Sequence, residues 1–483
     1  MVNLRRSLTI NFFASTGTIL IQFFVSLVLA RILSPSEIGV FSITLVFVNI
    51  VHMFRDFGVG SYLQREPDLT PEKIRAAMGV LFTSSWIIAA FLYFSSYGIG
   101  LWFHEPKIVP VMQVISIGFL FIPFGSITHA LLTREFAADK QAVVGIITTV
   151  SYSVACLGFA YSGFGTMSLA YGNLINIIIG GLAYMPFRPK NMPWLPSFKH
   201  WRGVVKFGLG SLLTNCAGAI NEGIPDLFLG KLSGARQVGL CSRANSTVSI
   251  FSYVAGSTVN YGAISYVSQA HHRGDPLSPL LNRAVTLLTG IGWPILGVTA
   301  VLGHEIVLAL YGPKWLEAVP AITPLTISAA ITMLFNYTPT ALSAIGRPDL
   351  TAIPVVITIL MRVAFGFLLF DGTLESFAWG ICIATIVVTP VMIKQHARYL
   401  NYEFSSMLGA VVRSIWVMVV CVLSAFILKR FIGADLSPIV RLAVLGLPII
   451  VVWFAALYFT KHPLLIELGH VAKGIKGKIL KPK

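Results

Sequence analysis

Charged side chains that interrupt long apolar stretches are the residues of this sequence best suited to chemistry. Three are cationic, Arg55, Arg243 and Arg362, and two are acidic, Glu222 and Asp226. A guanidinium stays protonated, and its planar fork matches the geometry of a phosphate. Arginines facing a watery cavity would therefore bind an anionic cargo such as a diphosphate. A charge inside a membrane span is by default a functional hypothesis, and Arg362, with apolar neighbours on both sides, is the clearest case.

Local ion pairing is an alternative explanation for two of the arginines. Asp56 directly follows Arg55 and would neutralise it. Arg243 would pair with Glu222 or Asp226 if the chain between them forms a short helical hairpin. Both explanations stay open for Arg55 and Arg243. The two acids are also candidates for coupling transport to protons or sodium.

Neutral polar residues accompany these charges at helical spacing. His52, one turn before Arg55, is expected to hydrogen-bond in a cavity wall. Two stripes spaced mostly by three or four residues follow: Asn11, Ser15, Thr18, Gln22 and Ser26 in one stretch, and Ser211, Asn215, Glu222 and Asp226 in another. We predict that Gln22 and Asn215 line the substrate cavity. The alternative is that such residues only hydrogen-bond neighbouring helices.

Pro225 lies between the two acids of the second stripe. Proline has no backbone donor and predicts a kink in the helix. A kink beside two carboxylates is a candidate gate. An inert kink is the alternative, because membrane helices tolerate proline.

The elements that carry these residues are predicted from composition. Of 483 residues, 55% are hydrophobic and 11% charged, and the mean hydropathy is +0.80, whereas soluble domains carry roughly 25% charged residues. The apolar runs reach the roughly 20 residues that a helix needs to cross a bilayer and are too continuous for barrel strands. The fold class is therefore an all-α polytopic membrane protein with about 14 transmembrane helices. We place them near 8–30, 37–62, 76–101, 108–133, 141–162, 167–186, 204–229, 238–266, 284–302, 319–345, 351–370, 376–393, 410–428 and 438–460.

Positive residues predict the orientation. With the N-terminus inside, most Lys and Arg fall in segments on the cytoplasmic side, as the positive-inside rule requires. Both termini are then cytoplasmic, and the first apolar run is an uncleaved span. The net charge of +16 is spread over many loops, which indicates topology and anionic lipid rather than nucleic acid.

An internal repeat predicts the domain organisation. Residues 30–41 (ARILSPSEIGVF) align with 230–241 (GKLSGARQVGLC) at an offset of 200, sharing Gly39 with Gly239. We expect two parallel six-helix bundles with the substrate path between them. The predicted domains are bundles at 1–186 and 207–400, a cytoplasmic linker at 187–206, and two extra helices with a basic tail at 401–483.

The sequence contains no motif typical of an enzyme or a metal site. It has no Gly-rich phosphate loop with its Lys, no H-E-x-x-H and no nucleophile elbow. All five cysteines, Cys156, Cys216, Cys241, Cys382 and Cys421, lie in predicted spans without metal-ligand spacing. We therefore expect no catalytic residues, no metal and no cofactor.

Four motifs carry a family resemblance: LARILSPSEIGVFSI (29–43), FGVGSYLQREPDLT (57–70), LYGPKWLEAVP (310–320) and LSAIGRPDL (342–350). With the span pattern, they resemble the Wzx-type oligosaccharide flippases, the polysaccharide transporter family of the multidrug, oligosaccharidyl-lipid and polysaccharide exporter superfamily. The resemblance implies a V-shaped pair of six-helix bundles with two further helices, working by alternating access. It also implies a cationic lumen, which Arg55, Arg243 and Arg362 would supply.

The implied function is movement of an undecaprenyl-diphosphate-linked sugar unit from the cytoplasmic to the periplasmic leaflet of a bacterial inner membrane. The expected partners are the lipid-linked oligosaccharide, membrane lipids, a coupling ion and polysaccharide polymerases. One alternative is an ion-coupled exporter of drugs or small molecules of the same superfamily, which the acids keep open. The other is a membrane-embedded polymerase or ligase, which the short external loops disfavour.

Overall fold

A computed structural model describes residues 4–56, 58–189, 192–197, 199, 201–250, 271, 273–432 and 436–469. These residues are helical, with short connections and no β-strand among them. By contacts the chain forms two compact units, Met1–Ser242 and Arg243–Lys483. The predicted bundles at 1–186 and 207–400, with their linker and tail, stay a prediction.

Over its described residues, the first unit contains seven α-helices and most of an eighth. They are α1 Leu4–Ile32, α2 Pro35–Asp56, α3 Val59–Arg65, α4 Pro71–Phe103, α5 Ile108–Arg134, α6 Ala138–Tyr161, α7 Met167–Tyr184 and α8 Trp201–Val248. Gly234 breaks α8 with φ 80° and ψ 175°, a conformation that residues with a Cβ rarely adopt. The chain therefore turns inside the segment that the repeat alignment singled out.

The remaining α-helices of the described residues belong to the second unit. They are α9 Ser278–Val301, α10 Gly303–Leu310, α11 Val319–Met333, α12 Thr338–Ala344, α13 Ala352–Leu369, α14 Leu374–Leu400, α15 Phe404–Phe431 and α16 Pro438–Phe459.

Twelve helical segments in the described parts of the chain are long and apolar enough to cross a membrane. This confirms the all-α polytopic prediction. The two other predicted spans, 204–229 and 238–266, fall on α8 and on residues beyond those described.

Polar caps and prolines set the helix boundaries in several places. The Thr70 side chain accepts a hydrogen bond from the Lys73 backbone N–H at 3.4 Å, and Pro71 follows at the first helical position of α4. Thr373 caps α14 in the same way through the Ser376 N–H at 3.2 Å, and α14 ends at Asn401, which has a left-handed conformation. These are the residue types that helix ends favour.

Two glycines at equivalent repeat positions let α2 and α8 cross in backbone contact. A Cβ at Gly39 would overlap the carbonyl oxygen of Ala235, and a Cβ at Gly239 would overlap that of Pro35. Because 35 aligns with 235 and 39 with 239, the contact is reciprocal, as in a two-fold interface. The repeated glycines are therefore explained by the close approach of these two helices.

A buried ion-pair network joins α10, α15 and α16 in the second unit. The Glu305 side chain is 3% exposed and lies 3.1 Å from the Lys429 ammonium and 3.5 Å from the Arg441 guanidinium. Lys429 also donates to the Val301 carbonyl at 3.0 Å. Two cations satisfy the buried carboxylate, which would be costly to leave alone.

A chain of hydrogen bonds links α9 and α15 to His462, just after α16. The His462 Nδ1 accepts from the Leu464 N–H at 3.2 Å, so the neutral ring carries its proton on Nε2, 3.1 Å from the Ser414 hydroxyl. Ser414 in turn lies 2.8 Å from the Thr289 hydroxyl. Burial, with the nearby Arg413 charge, lowers the pKa of His462 to about 4.

We expect Gly39→Ala to destabilise the protein by about 1–3 kcal/mol, because the new methyl group overlaps backbone that cannot rotate away. The measurement is thermal unfolding of the purified protein in detergent. Gly17→Ala on α1 is the matched control, since among the described residues no atom beyond its own helix backbone lies within 4 Å of a Cβ built there. Equal melting temperatures for the two variants would contradict the backbone crossing.

We expect acid to weaken the second unit through His462. Its folded pKa lies below the usual value of about 6.5, so the unfolded chain binds the proton first as the pH falls. The contribution of neutral His462 to the free energy of unfolding is complete above about pH 6.5. It falls by about 1 kcal/mol per pH unit as the pH drops toward about 4. Thermal unfolding at pH 8 to 4.5 should show a steeper loss for the wild type than for His462→Gln. His304→Gln, at an exposed histidine, should keep the wild-type slope.

Candidate substrate cavity

A cavity of about 800 Å³ lies among five helices of the first unit, α2, α3, α5, α6 and α7. Its size is within the range of ligand pockets. Apolar and small residues form part of its wall. The polar wall residues are Asn49, His52, Arg55, Ser61, Gln64, Ser126, His129, Thr148, Asn173, Asn176 and Tyr184.

The end of α2 places Arg55 in this wall. Asn49, His52 and Arg55 are spaced by three residues and so share one face of the helix. The helix stops at Asp56, and Gly58, with φ 65°, turns the chain into α3. The Ser84 hydroxyl of α4 donates to the Arg55 carbonyl at 2.7 Å, which holds the last turn of α2. The Arg55 side chain is 6% exposed.

Arg134, at the end of α5, holds the other end of α3. Its guanidinium donates to the carbonyl of Leu63 at 3.0 Å, of Glu66 at 2.5 Å and of Pro67 at 3.1 Å. These carbonyls belong to the last turn of a helix and the loop after it, which lack intrahelical partners. The side chain therefore fixes α3, which brings Ser61 and Gln64 to the cavity.

Packing of α5 against α7 sets the opposite wall. Gly125 and Gly181 let the two helices approach, since a Cβ at Gly125 would lie 3.3 Å from the Gly181 Cα. The His129 Nδ1 of α5 lies 2.9 Å from the Tyr184 hydroxyl of α7. The His52 and Phe119 rings form a T-shaped pair with 5.8 Å between ring centroids. The aromatic side chains are thus held by contacts to each other.

A second cavity of about 600 Å³ shares part of this wall. Both cavities are lined by Leu45, Asn49, His52 and Met53 of α2. The second also has Ser42 and two acids of α8, Glu222 and Asp226. Asn49 and His52 therefore separate an amide-rich space with an arginine from a space with two carboxylates.

The structure brings four of the predicted site residues to these adjoining cavities. Arg55 and His52 line the first, and Glu222, Asp226 and His52 line the second. Pro225 is buried within α8 between the two acids. The roles predicted for these residues stay predictions.

The other four predicted residues are not among the described wall residues of these two cavities. Gln22 is exposed on α1, and the wall of neither cavity includes it over the described residues. The side chain of Asn215 is outside the described part of the chain. Arg243 and Arg362 belong to the second unit. The Arg243 guanidinium lies 5.8 Å from the ring centres of both Tyr311 and Trp315, a cation–π arrangement.

Sequence reasoning missed the polar residues of α7. Asn173, Asn176 and Tyr184 all line the first cavity, and Gly180 lies between them. Their spacing of three, four and four residues puts them on one helical face. This spacing was the available signal, but the stripe carries no charge and so resembles ordinary interhelical hydrogen bonding. His129 was missed because its place in the site depends on its contact with Tyr184 of α7, which the sequence does not reveal.

The chemistry available here is binding. The first cavity offers carboxamides, hydroxyls, two imidazoles and one guanidinium, which can hold a large polar molecule by hydrogen bonds and one ion pair. No group of three His, Cys, Asp or Glu side chains within the described residues could hold a metal ion.

Comparison with protein families gives one match over most of the chain. The model of a family described as "Polysaccharide biosynthesis protein" matches residues 28–320. This range includes both cavities and the glycine crossing.

Curated relatives are similar over about two thirds to three quarters of their length. The succinoglycan biosynthesis transport protein ExoT of Rhizobium meliloti (strain 1021) is 24% identical over 385 residues, covering 77% of this chain and 76% of that protein. The lipopolysaccharide biosynthesis protein WzxC of Escherichia coli (strain K12) is 21% identical over 326 residues, covering 67% and 66%.

Solved structures share the fold. The lipid II flippase MurJ in an inward closed conformation has a TM-score of 0.77 at 14% identity, covering 93% of this chain and 98% of that one. An inward-facing multidrug resistance MATE transporter of the MOP superfamily has a TM-score of 0.63 at 18% identity, covering 79% and 94%. At these identities the likeness establishes the helical membrane fold.

Proposed function

Because this chain belongs to the polysaccharide biosynthesis protein family, we propose that it is a flippase for a lipid-linked oligosaccharide. It moves an undecaprenyl-diphosphate-linked repeat unit from the cytoplasmic to the periplasmic leaflet by alternating access. The product serves exopolysaccharide, capsule or O-antigen synthesis. The protein lies in a bacterial inner membrane with both termini cytoplasmic, and polysaccharide polymerases act on what it delivers.

The observation that carries this proposal is the polar cavity of about 800 Å³ with Arg55 in its wall. A membrane protein pays several kcal/mol to bury such groups away from water. A cargo with a charged head and many hydroxyls would need these polar groups in order to pass through an apolar membrane, which explains why they are buried there. ExoT, named as a succinoglycan transport protein, supports the same cargo class.

The arginines of the second unit belong to the proposal as further contacts for the diphosphate. Arg362 is half-buried on α13, ten residues after Ala352, where that helix begins. The Arg243 guanidinium lies within cation–π distance of the rings of Tyr311 and Trp315. Charge-assisted hydrogen bonds from guanidinium to phosphate are among the stronger ones in proteins.

A coupling ion is proposed to act at Glu222 and Asp226. Both carboxylates line the second cavity, next to the amide-rich one. Proton or sodium binding there would neutralise charge in the second cavity, which shares part of its wall with the first. Pro225, between the acids, is the proposed gating position, because a helix bends most easily where a backbone hydrogen bond is missing.

An exporter of drugs or other small cations is the second candidate function. The two acids of the second cavity favour it, since carboxylates attract cationic molecules, and MATE transporters share the fold. The amide-rich first cavity with its arginine is unsuited to a cation. We do not propose a membrane-embedded polymerase or ligase.

We expect deletion of the gene to abolish surface polysaccharide and to accumulate undecaprenyl-linked repeat units inside the cell. Arg55→Ala and Arg362→Ala should restore polysaccharide at least tenfold less well than wild type, because each removes a charge-assisted contact worth roughly 1.5–3 kcal/mol. The measurement is complementation, with lipid-linked intermediates labelled and the variant quantified in the membrane. Arg347→Ala is the control, since this exposed arginine pairs with Asp349.

Arg55→Lys separates charge from folding, because it keeps the cation and should recover part of the activity. Unaffected polysaccharide in the deletion strain, with increased sensitivity to small cationic compounds, would favour the drug exporter instead. Full rescue by Arg55→Ala and Arg362→Ala would remove the arginines from the mechanism.

We expect transport in membrane vesicles to fall when the proton and sodium gradients are collapsed. Glu222→Gln and Asp226→Asn should reduce the gradient-driven component severalfold, because the neutral side chains no longer exchange a cation. Glu375→Gln, at an exposed acid in the first turn of α14, should transport like wild type. Transport that is unchanged without both gradients would contradict ion coupling.

A further inference from the structure

Four carboxamide side chains surround the first cavity, more than a diphosphate needs. Asn49 of α2, Gln64 of α3, and Asn173 and Asn176 of α7 all line it. Each carboxamide offers two donors and an acceptor. A diphosphate is a pure acceptor, so the acceptor half of every carboxamide would go unused against it.

The charge in the wall points the same way. Arg55 is the only Lys or Arg among the described wall residues, and the wall includes no described carboxylate. A site built for anions alone would concentrate cations. The ligand for the rest of this space is therefore neutral, polar, and both a donor and an acceptor.

Hydroxyl groups and aromatic rings complete the pattern. Ser126 and Thr148 face the cavity from α5 and α6. Tyr184 adds ring surface next to the buried Phe119, and the Tyr184 hydroxyl lies 2.9 Å from the His129 ring. A sugar presents hydroxyls at its rim, each both donor and acceptor, and patches of C–H on its faces. Mixed carboxamide, hydroxyl and aromatic walls match both surfaces.

We propose that the cavity in the first unit is a glycan subsite, in which the Asn173 and Asn176 stripe of α7 recognises sugar hydroxyls while Arg55 binds the diphosphate of the same molecule. This rests on the proposed flippase function and adds to it: the sugars, as well as the lipid diphosphate, are recognised. Desolvated hydroxyls that lack a partner are costly, so the carboxamides give this site its preference for glycan-bearing lipid.

The test compares two lipids on the purified full-length protein in nanodiscs. One is undecaprenyl diphosphate; the other is the undecaprenyl-diphosphate oligosaccharide extracted from a host strain that lacks the gene. Free oligosaccharide released from the second lipid by mild acid is a third ligand. Affinities are measured by native mass spectrometry for wild type, Asn173→Ala/Asn176→Ala and Arg55→Gln.

We expect wild type to bind the oligosaccharide lipid more tightly than undecaprenyl diphosphate. The double variant should lose about tenfold for the oligosaccharide lipid, as expected for two neutral hydrogen bonds, and keep its affinity for undecaprenyl diphosphate. Arg55→Gln should weaken both lipids. Gln113→Ala removes a carboxamide of α5 outside the described cavity wall and should have wild-type affinity for both lipids. Free oligosaccharide should compete weakly with the oligosaccharide lipid, and only in proteins that keep Asn173 and Asn176.

Equal wild-type affinity for the two lipids would overturn the glycan subsite while leaving the flippase proposal intact. So would equal losses for both lipids in the double variant, or a loss of the same size in Gln113→Ala. Failure of wild type to bind either lipid would instead contradict the proposed function itself. A folding defect is separated from these outcomes by Asn173→Gln/Asn176→Gln, which keeps the carboxamides and should retain preference for the glycan-bearing lipid.

Discussion

The rest of this structure depends on one constraint: a polar group in the hydrocarbon core must find a polar partner or water within the protein. Backbone groups meet it by forming helices, which is why the described chain is helical throughout its spans. Side chains meet it by pairing, as Glu305 does with Lys429 and Arg441, or by facing a cavity. The adjoining cavities of the first unit are lined by polar side chains of the second kind.

The same constraint explains how much of the fold could be predicted. Apolar runs of sufficient length identify the spans, because composition alone decides whether a helix can lie in lipid. The repeat alignment of 30–41 with 230–241 marked the segments that contain Gly39, Gly234 and Gly239, but the break and the backbone contact are seen only in the structure. The short helix α3 was not predicted, because the predicted span 37–62 runs across the break after Asp56.

The candidate site could be predicted only where it carries charge. Arg55 and His52 stand out because ionisable groups are rare in apolar runs, and both line the cavity. Asn173 and Asn176 escape notice, since a neutral amide in a membrane helix has an ordinary explanation. Gln22 belongs to a polar stripe with helical spacing on α1 and is exposed, and its place in a substrate cavity stays a prediction. Spacing identifies a face of a helix, whereas the neighbour of that face is a property of the tertiary structure.

The glycine crossing of α2 and α8 has a mechanical consequence. Where large side chains interlock, one helix can pivot on another only by unlocking ridges from grooves, which gives discrete angles. At Gly39 and Gly239 the backbones touch and no side chain stands between them. A contact without interlocking side chains lets the angle between the two helices change while the contact point stays in place. Asn49 and His52 lie ten or more residues beyond Gly39 on the same helix, so a small rotation about this contact moves them farther than the contact itself. Glu222 and Asp226 lie on the other side of the Gly234 break from Gly239, so this rotation is not transmitted to them along one straight helix.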